Sequence, residues 1–148
     1  MRSFVTLVFL VLFPLSAIAQ ETDSADDTAM IRPAGDSDLS EFLWINRPVI
    51  VFADSPADPR YGEQIERLKQ GLDMLADRGV VILTDTDPAA RSPVRKKLRP
   101  RGFQLVLIDK DGVIKLRRPS PRSVREISAS IDKTPSRQRE IRERRGDG

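Results

Sequence analysis

The sequence predicts an α/β domain with a four-stranded mixed sheet flanked by helices, its elements ordered beta-alpha-beta and then beta-beta-alpha. Three observations carry that prediction. Two runs rich in branched residues, Pro48-Val49-Ile50-Val51-Phe52-Ala53 and Val80-Val81-Ile82-Leu83-Thr84, are separated by one long amphipathic stretch, which is the spacing of a right-handed parallel crossover. A third run, residues 103–108, meets Asp109-Lys110-Asp111-Gly112, a turn sequence that returns the chain into an alternating Val113-Ile114-Lys115-Leu116-Arg117. A second amphipathic stretch then places Val124, Ile127 and Ile131 on one helical face.

Residues 1–19 read as a cleavable signal peptide. Arg2 gives a positive start, residues 4–15 form an apolar run, and Ala17-Ile18-Ala19 supplies small residues for cleavage. The competing reading is a membrane anchor, but the run contains Pro14 and falls short of the roughly 20 residues that span a bilayer. No cysteine follows for lipidation, so a periplasmic or secreted product with no transmembrane segment after signal cleavage is expected. Residues 20–37, rich in Asp, Thr, Ala and Gly, have little to bury and read as a disordered acidic leader.

Order is expected from Asp38, giving one domain over 38–134. Asp38 can cap a short helix with Glu41 at the capping-box spacing, and Leu39, Phe42, Leu43 and Trp44 give that helix an apolar side. After the first strand, Asp58 reads as the N-cap of a long helix, Pro59 as its first residue and Gly79 as its terminator. Tyr61, Ile65, Leu68, Leu72 and Leu75 form its buried stripe. Gly62 and Gly71 each weaken it by about 1 kcal/mol against Ala, a cost that a four-turn stripe outweighs. Ser92-Pro93 can open one or two helical turns through Leu98, ended by Pro100 and Gly102. Ser120 and Pro121 start the last helix and Pro135 marks its end, leaving 135–148 as a basic C-terminal tail. In that tail Arg139 and Glu143, and Glu140 and Arg144, are spaced four apart, although Ile141 is its one apolar residue. Residues 137–140 are expected to dock and 142–148 to fray; a basic tail disordered throughout is the alternative.

Composition removes most chemistry. The 148 residues hold no Cys and no His, so there is no thiolate nucleophile, redox pair, disulfide or imidazole base. Serines lack a His partner and the G-x-S-x-G pattern is absent. Asp85-Thr86-Asp87 and Asp109-Lys110-Asp111-Gly112 are conceivable metal sites, but the second lacks the Gly placement and closing Glu of a calcium loop and reads better as a hairpin turn. Aromatic residues make up 5% of the chain, too few for the stacking platforms of a sugar cleft, and no Gly-rich phosphate motif is present. No metal, cofactor or catalytic residue is expected.

The bases fall in clusters, Arg91, Arg95, Lys96, Lys97, Arg99 and Arg101 in one, Arg117, Arg118, Arg122 and Arg125 in the other. They read as a solvated face or as a surface for an anionic envelope ligand such as a phospholipid or an acidic protein. No aromatic is interleaved to stack on bases, and an exported chain meets no nucleic acid.

A helix before the first strand, then this element order, resembles the thioredoxin-like fold. The stretches Leu43-Trp44 with 47–53, 105–116, Ile131-Asp132, Pro135 and Arg137-Gln138-Arg139-Glu140 are similar to a bacterial domain-of-unknown-function family, DUF4174, over about residues 39–143. Relatives of that domain are described as peroxiredoxin-like. In catalytic thioredoxin-like proteins the C-x-x-C thiols sit between the first strand and the first long helix. The corresponding loop here is Ser55-Pro56-Ala57-Asp58, with the same spacing and no sulfur. The helix N-terminus after Asp58, together with Arg60, is the place where the resemblance implies a small anion site, with a plain N-cap as its competitor. Where redox members place a cis-proline this chain has Phe103-Gln104, its proline lying earlier at Pro100. The candidate binding residues are Ser55, Asp58, Arg60, Arg137 and Arg139. The function expected is an exported, non-catalytic thioredoxin-like binding or accessory module of the cell envelope, its partner an unknown protein or anionic ligand. The alternatives are a cysteine-independent enzyme or an anionic-lipid binder.

Overall fold

The strand Arg47–Phe52 (β2) is buried at all six positions, because it lies between two neighbours and under helices on both faces. The computed structural model describes residues 30–146, so the expected signal peptide and residues 20–29 of the leader lie outside the described residues. On one side β2 pairs in parallel with Val80–Asp85 (β3), on the other antiparallel with Gln104–Ile108 (β4), which pairs antiparallel with Ile114–Arg118 (β5). The hairpin and the parallel crossover stand as the sequence predicts.

The sheet has five strands and not four. Ile31–Pro33 (β1) pairs in parallel with β3, giving the order β1-β3-β2-β4-β5, and Ala34 N–H donates to the Thr84 carbonyl at 2.9 Å. Order therefore begins before Asp38, within the stretch read as leader. Three residues carry no alternation to read; this strand exists because β3 offers it an open edge.

Two helices come from the stretch predicted as one. Asp58 and Pro59 open Pro59–Lys69 (α1) as expected, but the helix breaks at Gln70-Gly71 and resumes as Leu72–Ala76 (α2). The break is where Val124–Asp132 (α4) crosses: a Cβ on Gly71 would lie 2.7 Å from Val124 Cγ1. Gly79, at φ +65°, ends α2 by turning the chain into β3. Ser92 caps Pro93–Leu98 (α3) as predicted. The cap of α4 is Ser123, in a reciprocal capping box with Glu126, later than the Ser120-Pro121 start expected. Pro135 does not end a helix but opens one, Pro135–Arg145 (α5), behind the N-cap Thr134. The tail is thus helical through Arg145.

Before β2 the expected capping box is absent. Asp38 accepts from Ser40 N–H at 3.0 Å, while Glu41 accepts from Ser37 Oγ, and Leu39 enters a single 3₁₀ turn, Ser40–Phe42, at φ 73°. The core then follows strand alternation. Val49, Val51, Leu105 and Leu107 face Leu68, Leu75, Ile127 and Ile131; Ile50, Phe52, Val106 and Ile108 face Val94, Leu98, Leu39 and Phe42.

Candidate functional site

Ser55, Asp58 and Arg60 sit beyond the carboxyl end of β2, and each is engaged locally. The Asp58 carboxylate accepts from the Arg60 backbone N–H at 2.9 Å and from its guanidinium at 2.9 and 3.2 Å, while the Asp58 carbonyl accepts from Tyr61 and Gly62. Asp58 itself thereby occupies the place of the small anion expected at this helix N-terminus. The hydrogen bonds from Arg60 hold its carboxyl below the usual carboxylate range. Ser55 Oγ accepts from Ala57 N–H at 3.1 Å, and the Arg60 guanidinium lies over the Phe103 ring at 5.6 Å from its centre.

Beside this loop lies a buried cluster that the sequence reading did not single out. Arg95, counted there among the solvated bases, donates to Asp85 Oδ1 at 2.9 Å and to the Ala53 carbonyl at 3.1 Å, and stacks over Phe52. Ser92 Oγ donates to the other oxygen of Asp85. Burial raises the Asp85 pKa, but the bonds from Arg95 and Ser92 outweigh it and leave the carboxyl below its ordinary value. A carboxylate held ionised in this way is a poor proton acceptor, so Ser92 gains no effective base from it. The cluster ties the ends of β2 and β3 together.

At the opposite end of the sheet stands Arg47, 1% exposed. Its guanidinium donates to Asp109 Oδ1 at 2.8 Å, the Arg78 carbonyl at 2.8 Å, Ser136 Oγ at 2.9 Å and Glu140 Oε1 at 3.0 Å. Lys110 Nζ meets the same Glu140 oxygen at 2.7 Å. Burial works to raise the Glu140 pKa, yet Arg47 and Lys110 bring it down to about 2. Arg137, a predicted binding residue, is buried and reaches Asp77 at 2.9 Å and Glu140 at 3.3 Å; it fastens α5 and is not open to a ligand. Arg139 is exposed on the same helix and stands apart from this network. The candidate residues are thus divided between two ends of a six-residue strand, about 20 Å apart at 3.3 Å per residue.

Next to Arg47 the surface changes character. Leu43, Trp44 and Ile45 form a tight loop in which Trp44 takes φ +64° and donates its N–H to the Lys110 carbonyl at 2.7 Å. That bond joins the loop to the β4–β5 hairpin, where Leu43 packs on Gly112. Trp44 is 73% exposed and Ile45 64%, with Val113, Leu43 and Ile114 also well exposed. The sequence reading placed Leu43 and Trp44 on the inward side of a helix; the left-handed residue at 44 reverses the chain and turns the indole out. Below this tip is a small cleft of about 80 Å³ between Leu39, Phe42, Pro48 and Ile108, with Lys97 at its edge. Sequence gave one signal for it, the Leu43-Trp44-Ile45 run outside any strand.

The fold is similar to that of reduced Plasmodium vivax 2-Cys peroxiredoxin, with a TM-score of 0.53 and 19% identity over 68% of this chain and 84% of that one. It is also similar to Plasmodium yoelii Prx1a modified at the N-terminus, with a TM-score of 0.50 and 21% identity over 74% of this chain and 82% of that one. These likenesses establish a thioredoxin-like α/β fold and carry no activity to a chain without cysteine. No curated protein matches in sequence. A family model does match, over residues 38–140, and the chain belongs to the family described as Domain of unknown function (DUF4174).

Proposed function

We propose that this chain is an exported, non-catalytic thioredoxin-like binding module that works in the cell envelope or outside the cell. The observation that carries the reading is the exposed apolar tip of Leu43, Trp44, Ile45 and Val113, a surface that water disfavours and that the fold holds in place. At the other end, where thioredoxin-like enzymes keep their thiols, Asp58 and Arg60 satisfy each other and Ser55 Oγ accepts from Ala57 N–H.

The test is an activity screen of the purified chain against insulin disulfides, peroxide and simple esters, with Ser55→Ala and Arg60→Ala in parallel. No turnover above a heat-treated control is expected. Turnover that either substitution abolishes overturns the reading in favour of a cysteine-independent enzyme. Export is checked separately: the protein recovered outside the cytoplasm is expected to begin at Gln20.

A further inference from the structure

The apolar tip has three properties that together narrow its partner. It is convex: Trp44 and Ile45, the most exposed of its residues, stand clear of the cleft, and two loops share the summit, 43–45 and the hairpin turn with Val113. It is rigidly presented, since the Trp44 N–H to Lys110 carbonyl bond, the Leu43 contact with Gly112, and the bonds from Ile45 and Asn46 to the Phe42 carbonyl fix both loops to the sheet. It is rimmed by cations: Lys97 at the cleft, Lys110 in the hairpin turn and Lys115 on β5. The acids of the same end are Asp38, near enough to Lys97 to feel its charge but bonded to Ser40; Asp109, buried against Arg47; Asp111, whose carboxylate accepts from Val113 N–H; and Glu140, which is held between Arg47 and Lys110.

A protein partner would meet apolar side chains best in a groove. A projecting Trp with aliphatic neighbours and a lysine rim fits instead the boundary of a bilayer, where indole rings settle at headgroup depth and lysines reach lipid phosphates. The charge of the domain agrees, since residues 30–146 hold 24 Lys and Arg against 17 Asp and Glu.

We propose that the Leu43–Ile45 loop and the Val113–Ile114 turn form an interfacial anchor that inserts Trp44 and Ile45 into the headgroup layer of an anionic membrane, with Lys97 and Lys115 on the lipid phosphates. This deepens the binding-module reading and rests on it.

Trp44 is the chain's single tryptophan, so its emission reports on this tip alone. The full chain is titrated with vesicles of phosphatidylcholine alone and of phosphatidylcholine with phosphatidylglycerol, with and without brominated acyl chains. The expected result is a blue shift and bromine quenching with the anionic vesicles, reversed at high salt. Ile45→Ser combined with Val113→Ser is expected to weaken partitioning about tenfold, equal to about 1.4 kcal/mol, and Lys97→Glu with Lys115→Glu to remove the preference for anionic lipid. All four positions are on the surface, and circular dichroism confirms that the variants stay folded. Sedimentation with vesicles while Trp44 emission is unchanged overturns the proposal, because the chain is then held elsewhere, by its N-terminal apolar run or its other basic clusters. Equal binding to both vesicle types overturns it as well. So does a blue shift that follows protein concentration without vesicles, which marks the tip as a self-association surface. A negative vesicle result overturns the anchor and leaves the binding module standing; turnover that Ser55→Ala or Arg60→Ala abolishes removes the binding-module reading on which the anchor rests.

Discussion

Arg47 and Glu140, 93 residues apart in the chain, meet at 3.0 Å and fasten the last helix to the first residue of the central strand. α5 brings almost nothing apolar to the domain, and charge-assisted hydrogen bonds take the place of a core contact. Arg47 is the common partner, for it also holds Asp109 and Ser136.

Arg47→Met should destabilise the domain by about 3–5 kcal/mol, because Asp109 would remain buried without its counter-charge. Glu140→Gln should cost less, since that side chain is partly open to water and Lys110 can rotate away. Urea unfolding of the two variants checks the order; equal losses would mean that Arg47 acts mainly through α5.

Acid should loosen the same joint. Glu140 has a folded pKa of about 2 against an ordinary 4.5, a depressed value, so its contribution is complete above the ordinary value and is lost as pH falls through the folded one. Asp85 and Asp132 are lowered in the same direction. Stability should therefore be level above about pH 5 and decline between 4.5 and 2, with Glu140→Gln showing a shallower decline. Melting temperatures taken across that range decide it.

Gly71→Ala tests the break between α1 and α2. Helix propensity alone predicts a gain, yet the new Cβ would meet Val124 Cγ1 at 2.7 Å, so a loss of about 1–3 kcal/mol is expected. The double variant with Val124→Ala should lose less than the sum of the two single changes.

Salt should divide α5 in two. Arg144 and Asp77 are both more than half exposed, whereas Arg47 and Asp109 are buried, so screening reaches the far turns first. Hydrogen exchange should show amides near 142–145 losing protection at high salt while those near 138–141 keep theirs.

The central strands were legible because a continuous branched run has few other uses, and Asp58-Pro59 because the cap and the residue after it are both local. What stayed hidden depends on distant partners. Gly71 reads as a tolerated glycine until Val124, far along the chain, is seen to press on it. Pro135 fits a helix stop or a helix start equally well; Thr134 decides, and its role shows only once its side chain accepts from Arg137 N–H. Arg47 before an apolar run looks solvated, and its burial is set by Asp109, Ser136 and Glu140 from two other segments. For the same reason the burial of Arg137, read as a binding residue, is set by Asp77 and Glu140. The apolar run at Leu43-Trp44-Ile45 was legible, but its outward turn was not, because a left-handed tryptophan has no sequence signature.

The strand β1 matters for what the sheet cannot do. By pairing with residues 82–84 it closes most of an edge that would otherwise offer unpaired backbone to another chain, and it ends in Pro33, which has no N–H to extend the ladder. The remaining edge, β5, carries Lys115, Arg117 and Arg118. Copies crowded together on one surface would therefore repel at their strands, and could be packed side by side without polymerising.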